Sequence, residues 1–250
     1  MKRLSVSLKF ALAAPIALAL AACSGGTDET VATDGEAGET IAAPDGTSWE
    51  ETVTISEQDG YILGNPDAPI KLVEYASHTC GGCAGFAATA KPSIKEYVAT
   101  GMVSFEQRNL VRDPIDLTIA TLVRCGPKEN MQTLSDMAWG ELQQTFANVN
   151  ANGAAYEAAG RMPLEQRFVG IAQAAGLIDF FAARGISADQ QRACLSDTAK
   201  IESIANNSSA QAQELGINST PTFILNGEKV NTISWQSLEP MLQRAGARTE

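Results

Sequence analysis

The stretch VEYASHTCGGC, residues 73–83, is the part of the 250-residue chain that best predicts its fold. An apolar run that begins at Ile70 leads into this stretch and predicts a strand. Apolar residues at helical spacing follow it as far as Gly101 and predict a helix. Cys80 therefore lies where a helix begins, and the free backbone N–H groups there favour a thiolate. Cys83, one turn later, can close a disulfide with it and exchange two electrons.

A lone Cys-x-x-Cys motif has three interpretations. It can be a redox pair, half of a zinc site that still needs two ligands, or an inert structural pair. Its position between a strand and a helix favours the redox pair. The other two interpretations stay open at this point of the sequence.

Residues 1–22 have the pattern of an export signal. A basic start is followed by the apolar run Phe10–Leu20, which is too short to span a bilayer as a helix of about 20 residues. The small residues Ala21 and Ala22 then precede Cys23, and this resembles the lipobox of bacterial lipoproteins. The resemblance implies cleavage before Cys23 and a lipid anchor on it. The alternative is an ordinary secreted protein with an incidental cysteine.

Residues 23–52 form an acidic segment with few large apolar side chains. Eight of the chain's Asp and Glu residues lie there with no Lys or Arg, while the whole chain has a net charge of −11. Such a segment buries too little apolar surface to offset the cost of ordering, so we predict a disordered tether. The acidic balance also argues against nucleic-acid binding.

The chain has five cysteines, and an odd number in an exported protein leaves one thiol over. If Cys23 carries lipid, four cysteines remain for two pairs. We expect Cys80 and Cys83 to be the working pair, and Cys125 and Cys194 to form a structural disulfide in an oxidising compartment. The alternative for Cys125 and Cys194 is two separate buried thiols.

Residues 53–250 have the length of one domain with a sizeable core. A strand–helix–strand unit around residues 70–111 predicts a parallel strand pair. Helical periodicity dominates the middle of the chain, and the run 148–153 is predicted to be a loop or a frayed helix. Strand character returns at Pro221–Leu225, before the hairpin signal Asn226-Gly227.

Together these motifs resemble the DsbA-like branch of the thioredoxin superfamily. The residues that carry the resemblance are Glu74, the run Cys80-Gly81-Gly82-Cys83, the Thr220-Pro221 dipeptide and Asn226-Gly227. The resemblance implies an α/β thioredoxin-like fold, with a helical insertion between the two halves of the sheet at about residues 113–198.

The resemblance also implies a role for individual residues. Cys80 would be the exposed nucleophile, and Cys83 the buried resolving thiol. Pro221 would be cis beside the disulfide, and the backbone of Thr220 would pair with an extended substrate. Glu74 would be a buried acid that carries the Cys83 proton. The alternatives are a trans proline at the start of an edge strand and a solvated edge glutamate.

Two nearby positions bear on the acidity of the nucleophile. His78 is the only histidine, and we expect it to line the substrate-docking surface, the alternative being a charged group that helps to hold the thiolate. Strongly oxidising relatives carry a histidine just before the second cysteine, whereas this chain has Gly82. We therefore expect Cys80 to be less acidic, and the disulfide less oxidising, than in those relatives.

The sequence thus predicts a periplasmic, membrane-tethered thiol–disulfide oxidoreductase, in the first place a dithiol oxidase. Its partners would be exported proteins with cysteines and a membrane protein that recycles the disulfide, and the protein would be a monomer without metal or prosthetic group. Lipid on Cys23 would hold it at a bacterial membrane, with the outer membrane favoured. The alternatives are a reductase or isomerase of the same fold and a non-enzymatic metal-binding or chaperone-like lipoprotein.

Overall fold

A computed structural model of the chain describes residues 38–249. The predicted signal peptide at residues 1–22, Cys23 and the first part of the predicted tether lie outside the described residues.

Within residues 38–249, a six-stranded sheet forms the centre of the domain, in the order β1-β2-β4-β3-β5-β6. Only the β3–β4 pair is parallel, and the other neighbours run antiparallel. The strands are β1 (Val53–Ile55), β2 (Tyr61–Gly64), β3 (Ile70–Ala76), β4 (Val103–Asn109), β5 (Thr222–Leu225) and β6 (Glu228–Val230).

Ten α-helices of the described part cover and extend this sheet, together with short 3-10 turns at Trp49–Glu51 and Lys128–Asn130. The α-helices are α1 (Gly81–Ala99), α2 (Pro114–Val123), α3 (Met131–Gly140), α4 (Leu142–Ala151), α5 (Gly153–Gly160), α6 (Leu164–Ala174), α7 (Leu177–Ala182), α8 (Ala188–Ser196), α9 (Thr198–Glu214) and α10 (Trp235–Arg244).

The β3–α1–β4 unit is the centre of the fold. Every residue of β3 except Lys71 is buried, because the sheet is covered on both faces at this strand. Helix α1 connects β3 to its parallel neighbour and ends before Gly101, whose positive φ of 72° permits the turn into β4. The strand–helix–strand unit and the helix end predicted from the sequence are confirmed.

Helices α2 to α8 form the insertion between the two halves of the sheet. They occupy residues 114–196, close to the predicted range of about 113–198, and α9 then leads the chain back toward β5. Helix α2 is buried from Ile115 to Val123, so it lies at the centre of the helical layer. The predicted fold class is confirmed.

The run 148–153, predicted to be a loop or a frayed helix, is helical except at Asn152, so the loop alternative is wrong. Helices α4 and α5 are separated only by Asn152. The side-chain amides of Asn148 and Asn152 donate to the carbonyls of Ala175 and Ala174, at 3.2 and 3.1 Å. These long-range hydrogen bonds explain why Asn148 lies inside a helix and why only Asn152 interrupts the run.

Residues 38–52, here called the N-terminal strap, are folded against the domain. The Ile41 N–H donates to the Thr100 carbonyl at 2.8 Å, and the Trp49 indole N–H donates to the Ile41 carbonyl at 2.7 Å. Trp49 is buried, and a Cβ on Gly101 would collide with the Ile41 carbonyl. The predicted disordered tether is therefore wrong over these residues, because one buried tryptophan holds an otherwise polar segment in place.

The β5–β6 hairpin turns at Asn226-Gly227, where both residues have positive φ, at 50° and 88°. This geometry is the one that an Asn-Gly hairpin favours. The Asn226 side chain accepts from the Lys71 N–H at 2.8 Å, and the Asn226 N–H donates to the Lys71 carbonyl at 2.9 Å. The turn thus attaches the second half of the sheet to the start of β3.

Candidate active site

Cys80 and Cys83 lie at the N-terminus of α1. Cys80 is the N-cap residue, with extended backbone angles, and its sulfur accepts a hydrogen bond from the Cys83 N–H at 3.2 Å. Both cysteines are free thiols. Cys83 is fully buried and Cys80 is 5% exposed, so the nucleophile position is less exposed than the sequence predicted, although it is the more accessible of the two.

The Thr220–Pro221 peptide bond lies directly against this turn and is cis. The Cys80 thiol donates to the Thr220 carbonyl at 3.3 Å. A Cβ on Gly82 would lie 3.3 Å from the Pro221 ring and 3.6 Å from the Cys80 sulfur. The fold therefore brings together two motifs that are about 140 residues apart in the chain.

The surroundings of Cys80 favour its thiolate. A hydrogen bond from the Cys83 thiol is the largest influence that lowers the pKa of Cys80, to about 5, and burial opposes it. A hydrogen bond with the Thr220 side chain and the backbone N–H groups of Cys83 and Gly82 lower the pKa further. The same hydrogen bond, together with burial, raises the pKa of Cys83. The two thiols thus differ in acidity, so that Cys80 is suited to be the nucleophile and Cys83 the resolving thiol.

Glu74 is a fully buried acid on β3, and neither of its carboxylate oxygens has a hydrogen-bond partner. Burial raises its pKa to about 8, and the positive charge of Lys91 partly opposes this. The negative charge of Glu74 in turn contributes to the raised pKa of Cys83. A carboxyl group that titrates near neutral pH beside a buried thiol is suited to accept and return its proton.

His78 is fully buried, so the expectation that it lines the substrate-docking surface is wrong. Its Nε2 lies 3.0 Å from the Ser135 hydroxyl, and its backbone N–H donates to Asp116 at 2.8 Å. Its ring stacks on Trp139 with the ring centroids 5.3 Å apart. The single histidine is a core residue that holds the loop before Cys80 against α2 and α3.

Three residues that support this loop were not identified from the sequence. The Trp139 indole N–H donates to the Ser77 carbonyl at 2.9 Å, and its ring packs in the same cluster as both cysteines. Asp116 binds His78, while Asp113 accepts from the Thr79 hydroxyl and caps α2. The Asp113-Pro114 pair is a recognisable helix-start signal. It would have predicted the cap but not the contact with Thr79.

Cys125 and Cys194 are joined by a disulfide, with their Cα atoms 6.0 Å apart. Cys125 directly follows the C-cap of α2, and Cys194 lies on α8. The bridge therefore links two helices of the insertion and is separate in sequence from the Cys80–Cys83 pair.

No group of three or more His, Cys, Asp or Glu side chains is arranged to hold a metal ion within residues 38–249. In the same part of the chain, the helices lack the length and apolar character that a bilayer crossing requires.

A protein-family model described as Thioredoxin matches residues 56–244. A protein-disulfide isomerase from Novosphingobium aromaticivorans has a similar structure, with a TM-score of 0.69 and 31% identity over 74% of this chain and 96% of that one. Wolbachia pipientis alpha-DsbA1 has the same fold, with a TM-score of 0.60 and 22% identity over 80% and 96% of the two chains. A Rickettsia bellii protein named "Putative protein-disulfide oxidoreductase" is 25% identical over 203 residues, which are 81% of this chain and 70% of that protein.

Because the family model covers residues 56–244, the chain belongs to the thioredoxin family, and within it to the thiol–disulfide oxidoreductases. The resemblance stated from the sequence is confirmed, and so is the assignment as an enzyme of thiol–disulfide exchange.

The acidity of Cys80 can be measured from the pH dependence of its alkylation. In the reduced protein, we expect the rate at which iodoacetamide modifies Cys80 to rise with a midpoint near pH 5, because only the thiolate reacts. The measurement is mass spectrometry of the Cys80 peptide after timed quenching. A midpoint near 9, the ordinary value for a cysteine, would contradict the hydrogen-bond arrangement described above.

The burial of Glu74 makes the stability of the fold depend on pH. Its folded-state pKa is raised from 4.5 to about 8, so the folded protein holds this proton more tightly than the unfolded chain, and the fold loses stability as pH rises from 4.5 toward 8. Glu74→Gln should therefore raise the free energy of unfolding at pH 7 by about 3 kcal/mol, with little change at pH 4. Urea denaturation of the reduced proteins measures this difference.

Glu96→Gln is the matched control for this measurement, since Glu96 is an exposed residue on α1. It should leave stability unchanged at both pH values. If Glu74→Gln also left the free energy of unfolding at pH 7 unchanged, burial of Glu74 would not disfavour its ionised form. That result would contradict the raised pKa of Glu74.

Proposed function

We propose that this protein is a dithiol oxidase, which introduces disulfides into exported proteins through its Cys80–Cys83 couple. The observation that supports this most is the thiolate site at Cys80, where the Cys83 N–H lies 3.2 Å from the sulfur and the pKa falls to about 5. A stable thiolate favours the reduced enzyme, so the oxidised enzyme gives up its disulfide readily.

The size of this effect can be estimated from the thiol pKa. Lowering it from 9.0 to about 5 stabilises the reduced enzyme about a hundredfold at pH 7, or roughly 60 mV at 29.6 mV per tenfold. A value near 5 also lies between about 7 for thioredoxin and about 3.5 for a strong oxidant. We therefore propose an oxidase whose disulfide is less oxidising than that of relatives with a histidine before the second cysteine. This agrees with the glycine at position 82.

The proposed reaction begins when a substrate thiolate attacks the sulfur of Cys80 in the oxidised enzyme. The Cys80–Cys83 bond breaks, a mixed disulfide forms at Cys80, and Cys83 leaves as a thiolate that takes a proton from Glu74. A second substrate thiolate then attacks the mixed disulfide and releases Cys80 as the stabilised thiolate. The substrate loses two electrons and two protons in total, and the enzyme gains the two electrons.

Substrate docking is proposed at the cis-proline loop. Thr220 directs its carbonyl to Cys80 and Pro221 packs against Gly82, so an extended peptide that pairs with the Thr220 backbone would bring its cysteine to Cys80. We propose unfolded or folding exported proteins as the substrate class, because hydrogen bonds to backbone atoms do not depend on the side chains of the substrate.

The proposal needs no prosthetic group, because the two sulfur atoms carry the electrons. It does need a partner that reoxidises the pair, and we place this partner in a membrane. We propose that the enzyme acts as a monomer.

A reductase or isomerase is the second candidate. It is supported by the absence of a side chain at Gly82 and by the 31% identity to a protein described as a disulfide isomerase. A reductase would use the same site with electrons flowing in the opposite direction, so the reduction potential separates it from the oxidase. An isomerase transfers no net electrons, and it is recognised instead by the rearrangement of disulfides in an already oxidised substrate.

We propose a periplasmic location, with lipid on Cys23 as the anchor and the outer membrane as the favoured site. The support is the sequence alone: the apolar run before Cys23, the small residues at Ala21 and Ala22, and the acidic segment that follows. The structural disulfide between Cys125 and Cys194 is compatible with an oxidising compartment.

The reduction potential of the Cys80–Cys83 couple tests the proposed direction of electron flow. Equilibration in glutathione buffers should give a value between about −180 and about −120 mV, the range between an isomerase and a strong oxidant. A value near −270 mV would instead identify a reductase. Cys83→Ala serves as the control, because it should abolish the two-electron couple.

The proposed anchor is tested by Cys23→Ala in a bacterial host. We expect the variant to appear in the soluble periplasmic fraction, while the unchanged protein stays with membranes after alkaline washing, because two acyl chains hold a protein stably. Retention of the variant in washed membranes would mean that another feature anchors the chain.

A further inference from the structure

Lys91 is a buried lysine that the reaction described above does not use. It is only 5% exposed, and lysine is rarely buried to this degree without a partner. Cys83, Ala87 and Lys91 follow each other at four-residue intervals on α1, so they share one buried face of the helix. Side chains on a helix lean toward its N-terminus, which directs the Lys91 ammonium back toward the cysteines.

The ammonium group is held by α3 and by the sheet. Its Nζ donates to the Gln132 side-chain oxygen at 2.8 Å and lies 3.3 Å from an Asp136 carboxylate oxygen, one helical turn further along. Nζ also lies 4.1 Å from the centre of the Phe105 ring. These contacts fix the charge at one place between α1, α3 and β4.

That place is on the same side of the sheet as Glu74. In the parallel pair, Leu72 is opposite Phe105 and Glu74 is opposite Gln107. Alternate residues of a strand face the same side, so Phe105 and Gln107 share a face with Leu72 and Glu74. Glu74 therefore lies on the strand next to that of Phe105, displaced from it by one residue pair, which is roughly 7 Å along the strand.

Lys91 is the one cation among the charged and titratable groups that act on Glu74 in the described part of the chain. The others come from α3, β2 and the start of α1, and each is an acid: Asp136, Tyr61, Cys80 and Cys83. Without Lys91, every neighbouring charge would oppose ionisation of a carboxyl group that already lacks hydrogen-bond donors.

We propose that Lys91 is a positioning residue for the resolving step, whose anchored ammonium keeps the Glu74 carboxyl able to release and rebind a proton at neutral pH. This inference rests on the proposed thiol–disulfide function and adds the residue that makes Glu74 effective. An apolar residue of similar length would fill the same space but would lower the fraction of Glu74 that is ionised at neutral pH.

The step affected is the closing of the enzyme disulfide. Cys80 first attacks an external disulfide, which leaves a mixed disulfide at Cys80 and releases one thiolate. Cys83 then gives its proton to the Glu74 carboxylate and attacks the Cys80 sulfur. The Cys80–Cys83 bond forms, the mixed disulfide breaks, and the external sulfur leaves as a second thiolate with the electron pair.

The attack by Cys80 and the resolution by Cys83 can be followed separately in the reduced full-length chain. The chain carries Cys23→Ser so that Cys80 and Cys83 are the free thiols. One equivalent of dithiobis(nitrobenzoate) releases a coloured thiolate when Cys80 attacks, and another when Cys83 resolves the mixed disulfide. In stopped-flow measurements, Lys91→Met should slow the second release at pH 7 by about tenfold and move its pH midpoint up by about one unit. The first release should change by less than about twofold, since Lys91 is not among the groups that set the acidity of Cys80.

Three further variants separate this role from a merely structural one. Lys95→Met removes an exposed lysine one turn later on α1 and should leave both releases unchanged. Asp136→Asn removes an anion that opposes ionisation of Glu74 and should move the pH midpoint down, opposite to Lys91→Met. Adding Lys91→Met to Glu74→Gln should slow the second release no further, because the base is already absent.

The outcomes distinguish this inference from the proposed function. An unchanged second release in Lys91→Met, or a further loss on top of Glu74→Gln, would overturn the role of Lys91 and leave the cysteine chemistry intact. If the protein with Lys91 and Glu74 unchanged released no coloured thiolate in either step, the proposed function itself would be overturned. If Lys91→Met fails to fold, Lys91→Gln, which keeps a hydrogen-bonding group beside Gln132 and Asp136 but removes the charge, repeats the test, and an unchanged pH midpoint there overturns the inference.

Discussion

The hydrogen bonds that join Cys83 to the Cys80 sulfur are the interaction on which the site depends. They form because Cys80 caps α1 while Cys83 lies in the first turn, where backbone N–H groups have no partner inside the helix. The same contacts lower the pKa of one thiol and raise that of the other. The difference between nucleophile and resolving thiol thus arises from helix geometry and needs no charged side chain between the cysteines.

The rest of the domain holds this turn in place and keeps water from the resolving side. Trp139 from α3 and Asp116 from α2 fix the loop that contains His78, so the helical insertion holds the loop that leads into Cys80. The cis-proline loop closes the opposite side against Gly82. A buried glutamate without hydrogen-bond partners is unfavourable for stability, and its position beneath Cys83 is consistent with a cost tolerated for reactivity.

Much of the fold could be predicted because its signals are local. Strand β3, helix α1 with its cap at Cys80, and the Asn226-Gly227 turn can each be predicted from neighbouring residues. Errors occurred where distant contacts override local preference. The strap at residues 38–52 is ordered by Trp49, and Asn148 and Asn152 at the end of α4 donate to carbonyls more than twenty residues away.

The sequence by itself determined the family, the cysteine pair and the position of the acid, because these depend on residue type and short spacing. Only the tertiary structure decided which groups surround them. It buries His78 instead of exposing it, and it places Lys91 over the same face of the sheet as Glu74. The physical reason is that charge and burial act through space, so the acidity of a residue depends on neighbours that the linear chain keeps far apart.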